Sequence, residues 1–306
     1  MNAEFSHSMS SHLSRAFGAV GVLSVCVWGI RFSPSKGGYN APSERAEVSL
    51  DEARELQGRI AVLLRADKFE EALPLAQRMC QEFPDNHIYL SRLADIYEQL
   101  GRFKDEAALW ERFMKVAPTP SEACPYLGDA YRKMGDIPAS IDAFERCLAL
   151  EPRNSDFIFY LGRAYEYGKQ FPKAMATYKM GSTMHPDYPD LKVGWARMEV
   201  FIGDPARARA LVEDVLKRRP DTVDALLVLG MTLRQQGDYA QAKQHLERGL
   251  QLSPKYVDFL IVLGGIAESE DRLKEAVRYY DRVLALAPQD KAIADRRQRL
   301  MAKGSF

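Results

Sequence analysis

The sequence predicts an all-α protein in which seven copies of a helix-turn-helix unit follow one another. The main observation is a series of prolines, each placed 34 residues after the one before. They are Pro84, Pro118, Pro152, Pro186, Pro220, Pro254 and Pro288. A constant period of this length is the signature of a repeat architecture, in which stacked units share one continuous core. The second observation is a pattern of small and large residues that recurs in phase with these prolines.

Numbering each unit so that its proline is position 32 brings the other residues into register. The units are then 53–86, 87–120, 121–154, 155–188, 189–222, 223–256 and 257–290. Position 8 is glycine or alanine in six units and Ile60 in the first, and position 20 is alanine or serine in six units and Glu106 in the second. Position 24 carries a larger residue in six units, such as Trp110 or Tyr178. This pattern lets two antiparallel helices approach closely and fills the space beside them.

Glycines are predicted to end the first helix of the unit in four of the seven copies. Position 15 in these copies is Gly101, Gly135, Gly203 or Gly237. Glycine readily takes the positive φ that closes a helix. The proline after the second helix then limits that helix and directs the chain into the next unit.

Together these residues resemble the tetratricopeptide repeat family, and the resemblance covers residues 53–290. It implies a right-handed α-solenoid that holds a protein partner. Departures from the family pattern at Ile60, Glu106, Lys192 and Glu199 predict altered local packing within the same fold.

Both ends of the repeat array carry signals that fit a solenoid. Ser49 and Glu52 have the spacing of a capping box, so the array is predicted to begin at residue 49 and to extend to residue 290. Residues 291–306 are predicted to form a polar capping helix and a short tail, which cover the last repeat.

An apolar segment near the N terminus predicts one transmembrane helix. Residues 16–32 form this predicted anchor, between a tail at 1–15 and a flexible linker at 33–48. A span needs about 20 apolar residues, so a short anchor and a signal segment both remain open, and the lack of a small-residue cleavage site favours the anchor. By the family resemblance, we expect a bacterial inner-membrane protein with periplasmic repeats, and the cytoplasmic face is the alternative.

Composition and motifs exclude several classes of function. The chain has 42 basic and 42 acidic residues, so it has no net charge to attract nucleic acid. It contains no nucleophile motif, phosphate-binding loop or metal-binding signature. We therefore predict a protein that is not an enzyme, with no catalytic, cofactor-binding or metal-ligating residues.

The four cysteines are Cys26, Cys80, Cys124 and Cys147, and their spacing is not that of a metal site or a disulfide framework. Cys124 and Cys147 are at positions 4 and 27 of one unit, which face each other across its two helices, so a disulfide is sterically conceivable. Two buried free thiols are the favoured interpretation, because free cysteine is among the most buried residue types.

The family resemblance implies that positions 2, 5, 9, 12 and 13 of the first helices form a concave surface. In the middle units this predicts a partner-binding groove lined by Arg132, Lys133, Phe159, Arg163, Tyr167, Val193, Arg197, Val200, Phe201, Leu227, Met231 and Arg234. Aromatic and apolar residues interleaved with arginine are typical of interface hot spots. We expect a protein or peptide partner there, bound as an amphipathic helix or an extended segment. The lysine and asparagine of the family's carboxylate clamp are absent from positions 5 and 9.

The leading hypothesis is a membrane-tethered scaffold or adaptor that assembles or organises a multiprotein complex. A structural module that forms homo-oligomers is one alternative. A chaperone-like assembly factor for secreted or haem proteins is another.

Overall fold

The computed structural model describes residues 49–304. This part of the chain contains fifteen α-helices and one 3-10 helix at Pro120–Ala123, and it contains no β-strand. The α-helices are α1 (Leu50–Arg65), α2 (Phe69–Glu82), α3 (His87–Gln99), α4 (Phe103–Val116), α5 (Cys124–Lys133), α6 (Ile137–Leu150), α7 (Ser155–Tyr167), α8 (Phe171–Met184), α9 (Pro189–Ile202), α10 (Pro205–Arg218), α11 (Val223–Gln235), α12 (Tyr239–Leu252), α13 (Val257–Ser269), α14 (Leu273–Leu286) and α15 (Lys291–Gly304).

Every helix packs against the next one along the chain, from α1 to α15. Short connections make the neighbours antiparallel, so α1 to α14 form seven helix pairs and α15 lies against α14. Each pair contacts only the pairs beside it, which is the packing of a solenoid. The predicted all-α solenoid of seven helix-turn-helix repeats with a C-terminal capping helix is confirmed.

The small and large positions of the unit meet where the two helices of a pair are closest. A methyl group added to Gly162 of α7 would lie 2.4 Å from Cε1 of Tyr178 in α8, and one added to Gly128 would lie 2.2 Å from the ring of Phe144. Tyr178 is fully buried, and it also fills the space above Gly194 of the next unit. One aromatic side chain therefore packs both within its unit and against the following one.

Because of this contact, Gly162→Ala is expected to lower the free energy of unfolding by about 2–3 kcal/mol. The added methyl group has no room, and Tyr178 is enclosed on all sides. Gly58→Ala is the matched control, because Gly58 is exposed in α1 and nothing lies within 4 Å of the added atom. That variant should gain up to about 1 kcal/mol from helix propensity. Urea denaturation of both variants measures the difference, and equal effects would contradict the packing described here.

The first helix of the unit ends at position 15 in a left-handed conformation in six copies. The residues with positive φ are Asp67, Gly101, Gly135, Lys169, Gly237 and Asp271. The prediction is wrong for Gly203, whose φ is −121°. Here the carboxylate of Glu199 accepts a hydrogen bond from the Asp204 N–H at 3.0 Å, and a Cβ at position 203 would lie 2.0 Å from Glu199 Oε2. Glycine is required at this place for space.

The departure at Glu199 also changes a junction between units. At the same position of the preceding unit, Tyr165 donates a hydrogen bond to Glu145 of the unit before it, at 2.5 Å. Glu199 is buried and instead accepts hydrogen bonds from Trp195 Nε1 at 2.9 Å and Arg207 Nη1 at 3.2 Å. The pattern therefore changes locally while the helix pair is retained.

The other three departures from the family pattern are also accommodated within the helix pairs. Ile60 is buried in the core, and Lys192 forms an ion pair with Asp214 at 2.7 Å. Glu106 is 1% exposed. Its Oε2 atom and Nε1 of the adjacent Trp110 have no hydrogen-bond partner among the described residues.

Both predicted end signals are present in the structure. At the N-terminal end, the Ser49 hydroxyl accepts a hydrogen bond from the Glu52 N–H at 3.2 Å. At the C-terminal end, α15 buries Ile293 and Leu300 in the core that it shares with α14. The capping helix therefore covers apolar surface that the last helix pair leaves open.

The predicted membrane anchor at residues 16–32, with its tail and linker, lies outside the described residues. Within residues 49–304, no helix is both long and apolar enough to cross a membrane. The longest of these helices, α1, has 16 residues, whereas a membrane span needs about 20. The predicted localisation in a bacterial inner membrane is corrected accordingly, because the described helices supply no membrane-spanning element.

Cys124 and Cys147 are joined by a disulfide bond between α5 and α6, so the favoured interpretation of two free thiols is wrong. Their Cα atoms are 5.8 Å apart, within the range that a disulfide spans. Both residues are fully buried. Cys80 is the free cysteine of the described residues, and burial, only partly offset by the charge of Arg112, raises the pKa of its thiol to about 11.

The disulfide predicts a specific labelling pattern. In denatured protein that has not been reduced, iodoacetamide is expected to label the peptide containing Cys80 but not those containing Cys124 and Cys147. Reduction should make the pair reactive and lower the free energy of unfolding by about 3 kcal/mol. Mass spectrometry of the labelled peptides provides the measurement. Labelling of Cys124 before reduction would contradict the bond.

Candidate functional site

The first helices of the units form the inner face of the solenoid. Contacts that skip one helix join α5 to α7, α7 to α9, α9 to α11 and α11 to α13, whereas the second helices make no comparable contacts with one another among the described residues. Elements on the inside of a curved stack lie closer together than those on its outside. We call the surface formed by α5, α7, α9 and α11 the inner groove.

All twelve predicted groove residues lie on these four helices, but they differ in exposure. Eight are partly exposed: Arg132, Lys133, Phe159, Arg163, Tyr167, Val200, Phe201 and Arg234. Four are buried: Val193, Arg197, Leu227 and Met231. Val193, Leu227 and Met231 belong to one apolar cluster, because α9 and α11 pack closely against each other. The predicted role of the twelve residues in partner binding remains a prediction.

At the N-terminal end of the inner groove, two positive charges are neutralised by carboxylates. Arg132 forms an ion pair with the buried Asp129 at 2.7 Å. Lys133 lies between Glu98 of the preceding unit, at 2.6 Å, and Asp129, at 2.9 Å. Burial opposes the charge of Lys133, but its hydrogen bonds to the two carboxylates outweigh that effect and raise its pKa. These groups hold adjacent units together.

In the middle of the inner groove, Glu166 joins two units through a buried network. Arg197 of α9 donates two hydrogen bonds to the Glu166 carboxylate, at 2.8 and 2.9 Å, in the two-point geometry that arginine favours. The hydroxyl of Tyr178 donates to the same carboxylate. Burial and the charge of Glu166 raise the pKa of Tyr178, so its phenol stays protonated and serves as a donor.

The same arrangement docks the capping helix. Arg296 of α15 donates a hydrogen bond to Glu268 of α13 at 2.6 Å, and Tyr280 donates to the same carboxylate oxygen at 2.5 Å. A tyrosine and a glutamate of one unit thus bind an arginine of the next element in both places.

Arg163 lies between these two groups and has different surroundings. Its guanidinium carbon is 5.8 Å from the ring centroids of Phe159 and Tyr167. One of its nitrogens donates a hydrogen bond to the Tyr167 hydroxyl at 3.3 Å. Arg132 approaches the ring of Tyr167 from the preceding unit, at 5.7 Å. Aromatic faces therefore hold the side chain in place.

A narrow cleft between α5 and α7 opens beside Arg163. Its polar lining includes Asp129, Arg132, Tyr160, Arg163 and Tyr167. Burial and the nearby carboxylate of Asp156 raise the pKa of Tyr160 to about 12, so its hydroxyl is neutral and can donate a hydrogen bond. The cleft thus combines cationic and neutral donors with aromatic walls.

Three residues of this site, Asp129, Tyr160 and Glu166, are absent from the predicted groove. Asp129 and Glu166 occupy positions 9 and 12 of their units, which belong to the predicted concave surface. The signal that would have identified them is a carboxylate at these positions with a basic residue about one unit further on, as for Glu166 and Arg197. Tyr160 is at position 6, outside the positions used for the prediction.

In residues 49–304, no group of three or more histidines, cysteines or carboxylates could hold a metal ion. The chemistry that the described site offers is recognition through charge, hydrogen bonds and aromatic contact.

Comparison with known proteins agrees with this architecture. Tetratricopeptide repeat family models match residues 58–115, 127–189 and 194–242, and a further model of the same description matches residues 233–303. The chain belongs to the tetratricopeptide repeat family. Proteins of this class bind protein or peptide partners.

Solved structures with this fold include three bacterial-type examples of low sequence identity. A tetratricopeptide repeat protein from Parabacteroides merdae has a TM-score of 0.72 and 12% identity, with 81% of this chain and 98% of that chain covered. A thermophilic TPR protein from Thermus thermophilus has a TM-score of 0.55 and 20% identity, with 60% and 99% covered. PilW, a type IV pilus biogenesis factor, has a TM-score of 0.55 and 16% identity, with 68% and 97% covered. At these identities the likeness shows the fold alone. No curated protein matches the sequence.

Proposed function

We propose that this protein is a non-enzymatic scaffold that holds a protein or peptide partner along its inner groove and thereby helps to assemble or organise a multiprotein complex. The observation that carries the proposal is the composition of the partly exposed groove surface. Phe159, Tyr167 and Phe201 lie there beside Arg163. Large aromatic side chains and arginine contribute most of the binding energy in protein interfaces.

The shape of the surface also supports an elongated partner. The first helices lie side by side from α5 to α13, so their exposed side chains follow one continuous path across several units. A segment lying along this path can contact several units at once, in the manner of peptides bound by grooves.

The test uses short peptides selected from a random library on the full-length protein. The double variant Phe159→Ala with Tyr167→Ala is expected to weaken peptide binding by at least about 30-fold, because it removes two aromatic anchors. Fluorescence anisotropy with labelled peptides measures the affinity.

The matched control removes apolar side chains from the second helices. Leu150→Ala with Met180→Ala changes residues of α6 and α8 that are 50% and 45% exposed, and binding should be unchanged. Loss of binding in this control, with binding retained in the groove variant, would place the partner elsewhere. Sedimentation of the purified variants checks that neither change alters the oligomeric state.

A further inference from the structure

Arg163 is an unneutralised cation on the inner groove. No carboxylate among the described residues lies within 4.0 Å of its guanidinium nitrogens, and its hydrogen bond is to the neutral Tyr167 hydroxyl. A guanidinium has five N–H donors, so most of them are unused. Partial burial against Phe159 and Tyr167 also limits how far water can satisfy them.

The carboxylates nearest to Arg163 are already used by other cations. Glu166, on the same helix, accepts two hydrogen bonds from Arg197 and one from Tyr178. Asp129, across the cleft on α5, binds Arg132 and Lys133. Both neighbouring arginines add positive potential at Arg163, so the cleft has one positive charge in excess.

An excess positive charge in a partly desolvated site is unfavourable unless an anion neutralises it. The planar guanidinium is suited to two-point binding of a carboxylate. Its aromatic contacts fix its orientation, and the Tyr160 hydroxyl in the same cleft supplies a neutral donor. The site is therefore preorganised for one negatively charged group.

We propose that Arg163 binds the carboxylate of an aspartate or glutamate side chain in a partner segment that lies along the inner groove. This proposal rests on the proposed function, because it names the chemistry of the partner at that site. A side chain is favoured over a C-terminal carboxylate because the groove continues on both sides of Arg163, to Lys133 in one direction and to Phe201 in the other. A segment passing through the groove presents side chains at this point.

The experiment compares matched peptides on the full-length protein. Peptides selected from a random library are synthesised with each Asp or Glu replaced in turn by Asn or Gln, and also with an amidated C terminus. Wild-type protein is expected to prefer the acidic peptide at one position by at least about tenfold. In Arg163→Gln this preference should fall to within about twofold, while Arg163→Lys should keep part of it.

Arg153→Gln is the control for loss of a positive charge, because Arg153 is an exposed residue at a corner between units. It should keep the full preference. Arg163→Gln should also be at least as stable as the wild type without peptide, since the substitution removes an unneutralised charge. A merely structural role of Arg163 would give the opposite result.

Three outcomes would overturn the proposal. Peptides that bind the inner groove without any preference for an acidic side chain would refute it and leave the proposed function intact. A preference that survives in Arg163→Gln, or that depends on the C-terminal carboxylate, would do the same. Failure of every peptide to bind would count against the proposed function and this inference together.

Discussion

Replacing Glu166 with alanine is expected to lower the free energy of unfolding by about 3–5 kcal/mol, because one partner of a buried ion pair is removed. Arg197 is 8% exposed and would lose both of its hydrogen bonds to the carboxylate. The fully buried Tyr178 would lose its acceptor as well. Arg163 would add a further positive charge nearby. Urea denaturation measures the loss, and hydrogen exchange should locate it in α7 to α9.

Asp221→Ala is the control, because Asp221 also pairs with an arginine 27 residues away, Arg248, but both side chains are well exposed. That change should cost less than about 1 kcal/mol. A loss in Glu166→Ala no larger than in this control would contradict the importance of the buried network.

A triple variant tests the same network from the other direction. The changes Glu166→Val, Arg197→Met and Tyr178→Phe introduce residues that this chain already carries at the equivalent positions of other units, namely Val200, Met231 and Phe144. Replacing a whole buried ionic group with apolar residues of similar size is often neutral. We therefore expect the triple variant to recover most of the stability that Glu166→Ala loses.

The second large effect is a dependence of stability on pH that arises from Glu106. Burial, followed by the nearby charge of Glu98, raises the pKa of Glu106 from 4.5 to about 8, although Lys133 acts in the opposite direction. Between these two values the folded protein holds a proton that the unfolded chain releases. The contribution of Glu106 is thus fully favourable below pH 4.5 and is lost as the pH rises towards 8.

Glu106→Gln removes this titration, so its stability should not show the loss. The variant is expected to be more stable than the wild type by roughly 3 kcal/mol at about pH 9 and close to it at about pH 5. Asp95, whose pKa burial and Glu98 raise to about 6, titrates at lower pH and remains in both proteins.

Thermal unfolding across this pH range provides the measurement. Glu55→Gln, which changes an exposed glutamate of α1, is the matched control and should follow the wild-type curve. A constant difference between Glu106→Gln and wild type at every pH would show that Glu106 does not titrate in this range.

The parts of the fold that the sequence predicts are those decided within one unit. A helix pair needs small residues where Gly162 meets Tyr178, and it needs a turn residue and a proline at fixed distances, so every unit repeats the same local signals. The capping box at Ser49 is local in the same sense. Such features depend on residues that are near in sequence, and their spacing is visible in the chain.

The features that were missed depend on how one unit lies against the next. Val193 and Leu227 are buried because α9 and α11 pack closely, a distance that the repeat period does not specify. The isolation of Arg163 likewise follows from which neighbour each carboxylate reaches. Gly203 shows the same limit within a unit, because the buried Glu199 carboxylate replaces the usual turn.

The docking of the capping helix has a consequence for how the chain can change in length. Arg296 reaches Glu268 as Arg197 reaches Glu166, so the terminal junction uses the same contacts as an interior one. An additional unit placed before α15 that carried the same tyrosine and glutamate would find both of its junctions already formed. The array can therefore be lengthened by whole units without a new end, and the span of the inner groove can grow with the size of its partner.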